Sequence, residues 1–429
     1  MKNFMFKGKL FCLFLCIILL LSSCQIEKTK KSNETQKVPY RDSFTEEEKA
    51  NGTAKFDLME NVTVDAQITP AEKYKDGLKK YYMKHYMEPD TLKSRKDFEK
   101  KPTLFGRKLS KSMDMIAEKV DGAFSDKKID WDDTSADLVV KTIFEGKNGE
   151  TYSFIAYWGI GDEAFDSHSK AYSPIIHIKL LEGSNSGMDT NLVENIKEYL
   201  RDYNDIEVSF IEDKKKTGEE LKEFLEKLVG RKLSNTWECV PVTVESVASL
   251  NKVFKNGISK LKPEEEYCTY WYYYDVKGFP FTDSNLNYTL KDGETANELA
   301  KRTSPNNILM GLSDLPLLCH VSKDGIIGLD IYNIRMEGDV YKDTEQVIDP
   351  DVVLQKVKKY YEKQMLAKTV TVLDLEMVYT GYFTDGNEGE IQPMIAPFWR
   401  VRVHNGERNV YFVYDAFTGE AIAQNNPTS

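Results

Sequence analysis

Three short turn signals constrain the fold of this chain more than anything else in it. Lys147-Asn148-Gly149, Lys323-Asp324-Gly325 and Asn405-Gly406 each stand between two apolar runs. Asn-Gly and Asp-Gly accept the left-handed backbone of a tight hairpin turn, so each signal predicts two adjacent antiparallel strands. The paired runs are 137–145 with 151–158, 317–322 with 326–334, and 398–403 with 409–414. Further strands are expected at 173–181, 206–210, 237–244 and 372–379, and in the aromatic run 267–276, which ends in the turn Gly278-Phe279-Pro280. Within 372–379, Leu373, Leu375, Met377 and Tyr379 share one face and Asp374 and Glu376 the other. The 24 Tyr and 21 Phe fit the same reading, because aromatic residues favour strands.

Helical spacing is expected in five places. Residues 70–87 carry Pro70 in the first turn and a stripe of Leu78, Tyr81, Tyr82 and Tyr86. Residues 105–121 place Leu109, Met113, Ile116 and Val120 on one face, and 192–203 repeat in the same way. Thr217 and Glu220 form a capping-box pattern ahead of Leu221, Phe224, Leu225 and Leu228, with Gly230 as terminator. Asp349 and Pro350 open a helix with the stripe Leu354, Val357, Tyr361 and Met365. Leu78–Lys84 and Val357–Lys363 also resemble each other in sequence, as a duplicated unit would. These elements describe an α+β chain: twisted antiparallel sheets with helices packed on one face, in two domains, 54–245 and 265–429.

Ahead of those domains the composition changes. Lys2, Lys7 and Lys9 precede an apolar run from Leu10 to Leu21, which is too short for a membrane span. A charged start, a short apolar core and small residues describe a secretory signal. Leu21-Ser22-Ser23-Cys24 closes it and resembles the bacterial lipobox. That resemblance implies a signal peptide at 1–23, cleavage before Cys24, and diacylglycerol and palmitate chains on this cysteine. Two acyl chains suffice for stable anchoring. Residues 24–53 are polar and mixed in charge, as a tether would be.

Removing residues 1–23 takes three lysines and leaves 55 basic against 69 acidic residues, a net charge of −14. This argues against a nucleic-acid partner, which is held through Lys and Arg on phosphates. Cys239, Cys268 and Cys319 are far apart and odd in number, so they make no dense disulfide framework, although one bridge can form. No motif calls for a metal or a cofactor. His85, His168, His177, His320 and His404 show no ligand spacing, and Asp162, Glu163 and Asp166 lack the EF-hand pattern. Ser-x-x-Lys occurs at Ser125/Lys128, Ser167/Lys170 and Ser259/Lys262, and Lys216-Thr217-Gly218 is a K-T-G. That triplet sits at a helix start rather than on the strand which penicillin-binding chemistry requires. Gly183-Ser184-Asn185-Ser186-Gly187 is no nucleophile elbow, because Asn stands at its centre. No catalytic residue is assigned.

Over about 265–425 the chain resembles extracytoplasmic proteins of the PepSY and YycH/YycI type. The residues that carry the likeness are Tyr270-Trp271-Tyr272-Tyr273-Tyr274 with Gly278-Phe279-Pro280, the hairpin at Lys323-Asp324-Gly325, and the helix at 350–366. Pro397-Phe398-Trp399-Arg400-Val401 leading to Asp415–Glu420 completes it. The resemblance implies a regulatory module, which binds a kinase in the one type and a peptidase in the other. Those kinase regulators use a transmembrane anchor, whereas Cys24 implies a lipid. The expectation is therefore a non-enzymatic lipoprotein on the outer face of the cytoplasmic membrane, acting on an envelope protein or peptide. A wall-polymer or solute binder using Trp158, Trp271, Tyr273 and Trp399 is a second reading. An envelope hydrolase with an unread active site is a third.

Overall fold

The computed structural model describes residues 40–85, 104–122, 124, 130–132, 138–146, 149–160, 172–180, 208–253, 261–282, 308–311, 317–331, 335–385, 391–406 and 409–424. Arg41–Ser429 forms one compact unit. The lipobox and Cys24 lie outside the described residues.

Within the larger unit the elements run in this order. Helix α1 (Glu46–Asn51) leads to strands β1 (Thr53–Met59), β2 (Val62–Ile68) and β3 (Leu78–His85). Helix α2 (Leu109–Lys119) precedes β4 (Asp130–Asp132), β5 (Leu138–Glu145), β6 (Thr151–Ile160) and β7 (Tyr172–Leu180). Helix α3 (Lys214–Val229), β8 (Leu233–Val242) and helix α4 (Val244–Val253) come next. They are followed by β9 (Tyr267–Val276), β10 (Phe279–Phe281), β11 (Ile308–Gly311), β12 (Leu317–Ser322), β13 (Gly325–Ile331) and β14 (Arg335–Glu345). Helix α5 (Pro350–Tyr361) precedes β15 (Val370–Asp385), β16 (Ile391–His404), β17 (Asn409–Asp415) and β18 (Ala421–Gln424). The fold is α+β and its strands are mainly antiparallel.

The strands pair in two series. One has the order β4-β5-β6-β7-β13-β12-β9-β8. The other runs β1-β2-β15-β16-β17-β18, with β3 and β14 attached beside the first half of β16. Strand β10 joins them, pairing with β9 on one side and β15 on the other. Three times a helix is followed by an antiparallel meander: α2 with β5–β7, α3 with β8, β9, β12 and β13, and α5 with β15–β18. The last strands of the first two meanders, β7 and β13, pair with each other.

The interval 245–265 stands between the two expected domains, 54–245 and 265–429. That interval falls between β8 and β9, which pair from Leu233↔Tyr274 to Val242↔Tyr267. The chain instead leaves one series at the end of β3 and returns at the start of β14, where His85 stands opposite Arg335. The segment between His85 and Arg335 is thus an insertion whose two flanking residues are neighbours, an arrangement that compact units tolerate well.

Several local expectations change. Residues 78–85 form a strand, not part of a helix; only Ala71–Lys73 is a single 3-10 turn. Gly77 interrupts at φ +77°, and a Cβ there would meet the Glu345 carbonyl oxygen at 2.6 Å. Pairing with β14 and β16 then overrides the weak helical spacing. Since Leu78–Lys84 is a strand and Val357–Tyr361 a helix, their likeness is not a structural repeat. Residues 208–212 form no strand. Helix α3 starts at Lys214, capped by Asp213, whose carboxylate accepts from the Lys216 N–H at 2.9 Å, so Thr217 lies inside it. Helix α5 ends at Tyr361 and Met365 is fully exposed. A register shift between Val372 and Asp374 puts Val372, not Leu373, in the core with Leu375, Met377 and Tyr379. The segment read as tether is folded from α1 onward. The expected helix at 192–203 lies outside the described residues.

The core is continuous beneath the helices. Met113 and Ile116 of α2, and Leu221, Leu225 and Leu228 of α3, pack against Phe144, Phe154, Ile176, Tyr272 and Leu329. Val353, Leu354, Val357 and Tyr361 of α5 cover Trp399, Phe412 and Tyr414. Gly218 sets how closely α3 approaches the sheet. A Cβ there would sit 2.5–2.8 Å from three ring atoms of Trp237. That glycine of the K-T-G triplet therefore serves packing. The opposite faces are buried as well, through Val240, Val242, Leu318 and Ile327 in one series and Val378, Met394 and Phe398 in the other.

Candidate functional site

A broad, open concavity lies at the N-terminus of α3. It encloses about 810 Å³ between the segment Phe210–Thr217 and the β12–β13 turn. The hairpin chemistry read from Lys323-Asp324-Gly325 positions one wall, with Gly325 at φ +112°. The Asp213 cap positions the other. The lining carries Lys214, Lys216 and Lys323 against Glu212, Asp213 and Glu220. Such interleaved charge suits a polar ligand with groups of both signs better than an apolar one or a polyanion. Thr217 faces this groove and hydrogen-bonds the Tyr270 hydroxyl, which lies 3.3 Å from the Lys214 carbonyl oxygen.

A second constellation lies on the sheet face turned away from α2 and α3. On β13, the Asp330 carboxylate accepts from His177 Nδ1 of β7 at 2.7 Å and from His320 Nε2 of β12 at 3.2 Å. The other nitrogen of His320, Nδ1, is 3.0 Å from Thr269 Oγ1 of β9. The register explains the meeting: His177 stands opposite Asp330, Thr269 opposite His320, and Gly328 opposite His320 on the turn side. A Cβ at Gly328 would come within 2.8 Å of the His320 ring, so the glycine makes room for the imidazole. Burial opposes the charge on Asp330, yet the hydrogen bonds from His177 and His320 hold its carboxyl well below the usual range.

Hydroxyl, imidazole and carboxylate follow one another here in the order of a nucleophile, a base and an orienting acid. The chemistry stops at access. Thr269 is 1% exposed and His320 4%, so no substrate reaches the hydroxyl in this conformation. One neutral tautomer of His320, with the proton on Nε2 and Nδ1 accepting from Thr269, satisfies both of its ring nitrogens. Its effect is to tie four adjacent strands of two meanders together.

The residues singled out from the sequence do not converge. Trp271 and Tyr273 are each 4% exposed, and Trp399 is fully buried, with its Nε1 donating to the Ile348 carbonyl oxygen at 3.3 Å and its ring edge-on to Tyr74. Tyr273 donates to Glu238 at 2.9 Å. Strand β9 is buried at every position except Asp275, so its aromatic residues are core on both faces and offer no platform for a sugar or solute. The side chain of Trp158 lies outside the described residues, as do Asp162, Glu163, Asp166, Ser125, Lys128, Ser167, Lys170 and Ser259. Cys239, Cys268 and Cys319 are free thiols on β8, β9 and β12. Among the described residues no group of three His, Cys, Asp or Glu could hold a metal ion, and no helix is long and apolar enough to cross a membrane. The His–Asp–His relay had one signal in the sequence. His320 and Asp330 interrupt otherwise apolar strands, and buried polar side chains require partners.

No family model and no curated protein matches the chain. Among solved structures, the chain is similar to an uncharacterized protein from Eubacterium rectale ATCC 33656. The sequences are 14% identical, the match covers 86% of this chain and 93% of that one, and the TM-score is 0.47.

Proposed function

We propose that this protein is a lipid-anchored extracytoplasmic binding module, held at the outer face of the cytoplasmic membrane through Cys24. It engages a polar, mixed-charge segment of an envelope protein or peptide at the groove beside α3. The observation that carries this reading is the groove itself: an open concavity of about 810 Å³ with three lysines and three acids on its walls. The lipobox supports the location and the acidic mature chain supports a partner other than nucleic acid. The PepSY and YycH/YycI likeness of the C-terminal part supports a regulatory role for the complex. The alternative of an aromatic solute site loses its basis, because Trp271, Tyr273 and Trp399 are buried.

Chemical crosslinking in intact cells, followed by capture under denaturing conditions, tests the proposal. One dominant envelope protein should be recovered, and charge reversal at Lys216 and Lys323 should reduce its yield. Recovery of no partner, together with hydrolase activity in the purified protein, would overturn it.

A further inference from the structure

Cys239 and Cys268 lie on adjacent strands and on the same face. Cys239 of β8 stands opposite Tyr270 of β9, and Pro241 opposite Cys268, so the two thiols are diagonal neighbours. They also interact directly with each other, and the Tyr270 hydroxyl beside them donates to the Lys214 carbonyl oxygen at 3.3 Å. Their environments differ. Cys268 is completely buried and Cys239 is half-buried. Lys214, at the start of α3, acts on Cys239 by its charge and also lines the groove. Cys319 stands opposite Tyr270 from the other side, on β12, and is 1% exposed.

We propose that Cys239 and Cys268 are a redox-active dithiol, with Cys239 the entry thiol and Cys268 the resolving thiol, acting on a low-molecular-weight disulfide. In the first step the Cys239 thiolate attacks one sulfur of the small disulfide. That S–S bond breaks, one small thiolate leaves and takes up the proton that Cys239 has lost, and a mixed disulfide remains. In the second step Cys268 loses its proton and attacks the Cys239 sulfur. The mixed disulfide breaks and the second small thiol departs with that proton. Two protein thiols are oxidised and one small disulfide is reduced to two thiols.

The order of the two steps follows from the surroundings. The hydrogen bond from Cys268 lowers the Cys239 thiol against the effect of burial, helped by Tyr270 and Lys214. Cys268 is held up first by that same hydrogen bond, then by burial and by the charge on Cys239. Forming the mixed disulfide removes the Cys239 charge, which leaves burial and Glu266 to hold Cys268 up and Lys214 to lower it. Diagonal neighbours stand farther apart than a disulfide's own span, so closure must shift β8 along β9 locally. The resulting bond should reopen with dithiothreitol. Cys319 supplies an internal control: burial pushes its thiol up to about 12.

The test treats the purified full chain with oxidised glutathione at pH 8, quenches with acid, alkylates and maps the peptides. The proposal expects a linked Cys239–Cys268 peptide that dithiothreitol removes. It also expects native alkylation of Cys239 at least about tenfold faster than of Cys319. Cys268→Ser should accumulate the glutathione adduct on Cys239. Unmodified thiols, a lasting Cys239 adduct in the unaltered protein, or equal reactivity of Cys319 would overturn it. The linked peptide and the alkylation ratio are read on the unaltered chain, so the outcome does not depend on the variant folding.

Discussion

Removing the Asp330 carboxylate should loosen the junction between the first two meanders. Asp330→Ala leaves two ring N–H donors without their acceptor. His320 is 5% exposed at the side chain and cannot turn to water, so its loss approaches the upper end of the ~1–3 kcal/mol that an unsatisfied buried donor costs. His177 is 15% exposed and recovers part of its hydration, so it adds about 1 kcal/mol. The sum is about 3–4 kcal/mol, similar to breaking other buried pairs from one side. Asp330→Asn should cost less, about 1–2 kcal/mol. Its carbonyl can still accept from His320, and its amide can donate to the other tautomer of His177. The pH dependence has a definite sign. A carboxyl held below its unfolded value contributes stability that is present above about pH 4 and lost as pH falls through the folded value. The difference between the protein and Asp330→Asn should therefore narrow as pH drops below about 5. Urea denaturation followed by both tryptophan fluorescence and far-UV circular dichroism measures these shifts. An Asp330→Ala variant within 0.5 kcal/mol of the parent (~0.5 is the ordinary surface effect), or an Asn variant worse than Ala, would refute the reasoning.

Three further outcomes are expected. Gly218→Ala should destabilise by about 1–3 kcal/mol, because its Cβ collides with Trp237; adding Trp237→Leu should recover part of the loss, and thermal melts of the single and double variants decide. Lys49→Met should cost about 1–3 kcal/mol, because the Lys49 ammonium, 10% exposed, bridges Asp349 at 2.9 Å and Asp351 at 2.8 Å. Burial opposes that charge but the two aspartates outweigh it and raise it above its usual range, while Asp349 is lowered against burial by Lys49. The difference should thus be largest between about pH 5 and 9, disappearing in acid and in strong alkali when chemical melts are run across pH. Cys24→Ala should abolish metabolic labelling with a fatty-acid analogue and leave the precursor uncleaved; an unchanged labelled band would remove the lipid anchor from the account.

Most strands were legible because hairpin chemistry is local. A turn such as Asn148-Gly149 or Asp324-Gly325 needs no knowledge of the rest of the chain, and β5–β6, β12–β13 and β16–β17 all pair as their turns require. The stripe of α5 as far as Tyr361, though not Met365, and its Asp349 cap were legible for the same reason. What sequence could not carry was long-range pairing. Lys79-Lys80-Tyr81-Tyr82 satisfies helical and strand spacing alike, and β14, more than 250 residues away in sequence, decides between them. The insertion between His85 and Arg335 is invisible for that reason, and with it the grouping of β1–β3 with β14–β18. The aromatic run of β9 looked like a binding surface because strand periodicity alone does not reveal that both faces are covered. The relay showed only as polar residues in apolar strands, with its partners set by the register of four separate segments.

The most direct test of the binding account places a photoreactive amino acid at Lys323, on the groove wall, and in a parallel strain at Lys55, an exposed position on β1. After illumination of intact cells, the account predicts one dominant crosslinked envelope protein from position 323, none from position 55, and loss of the product when Lys216→Glu is added. Equal labelling from both positions, or a position-323 product indifferent to Lys216→Glu, would contradict it.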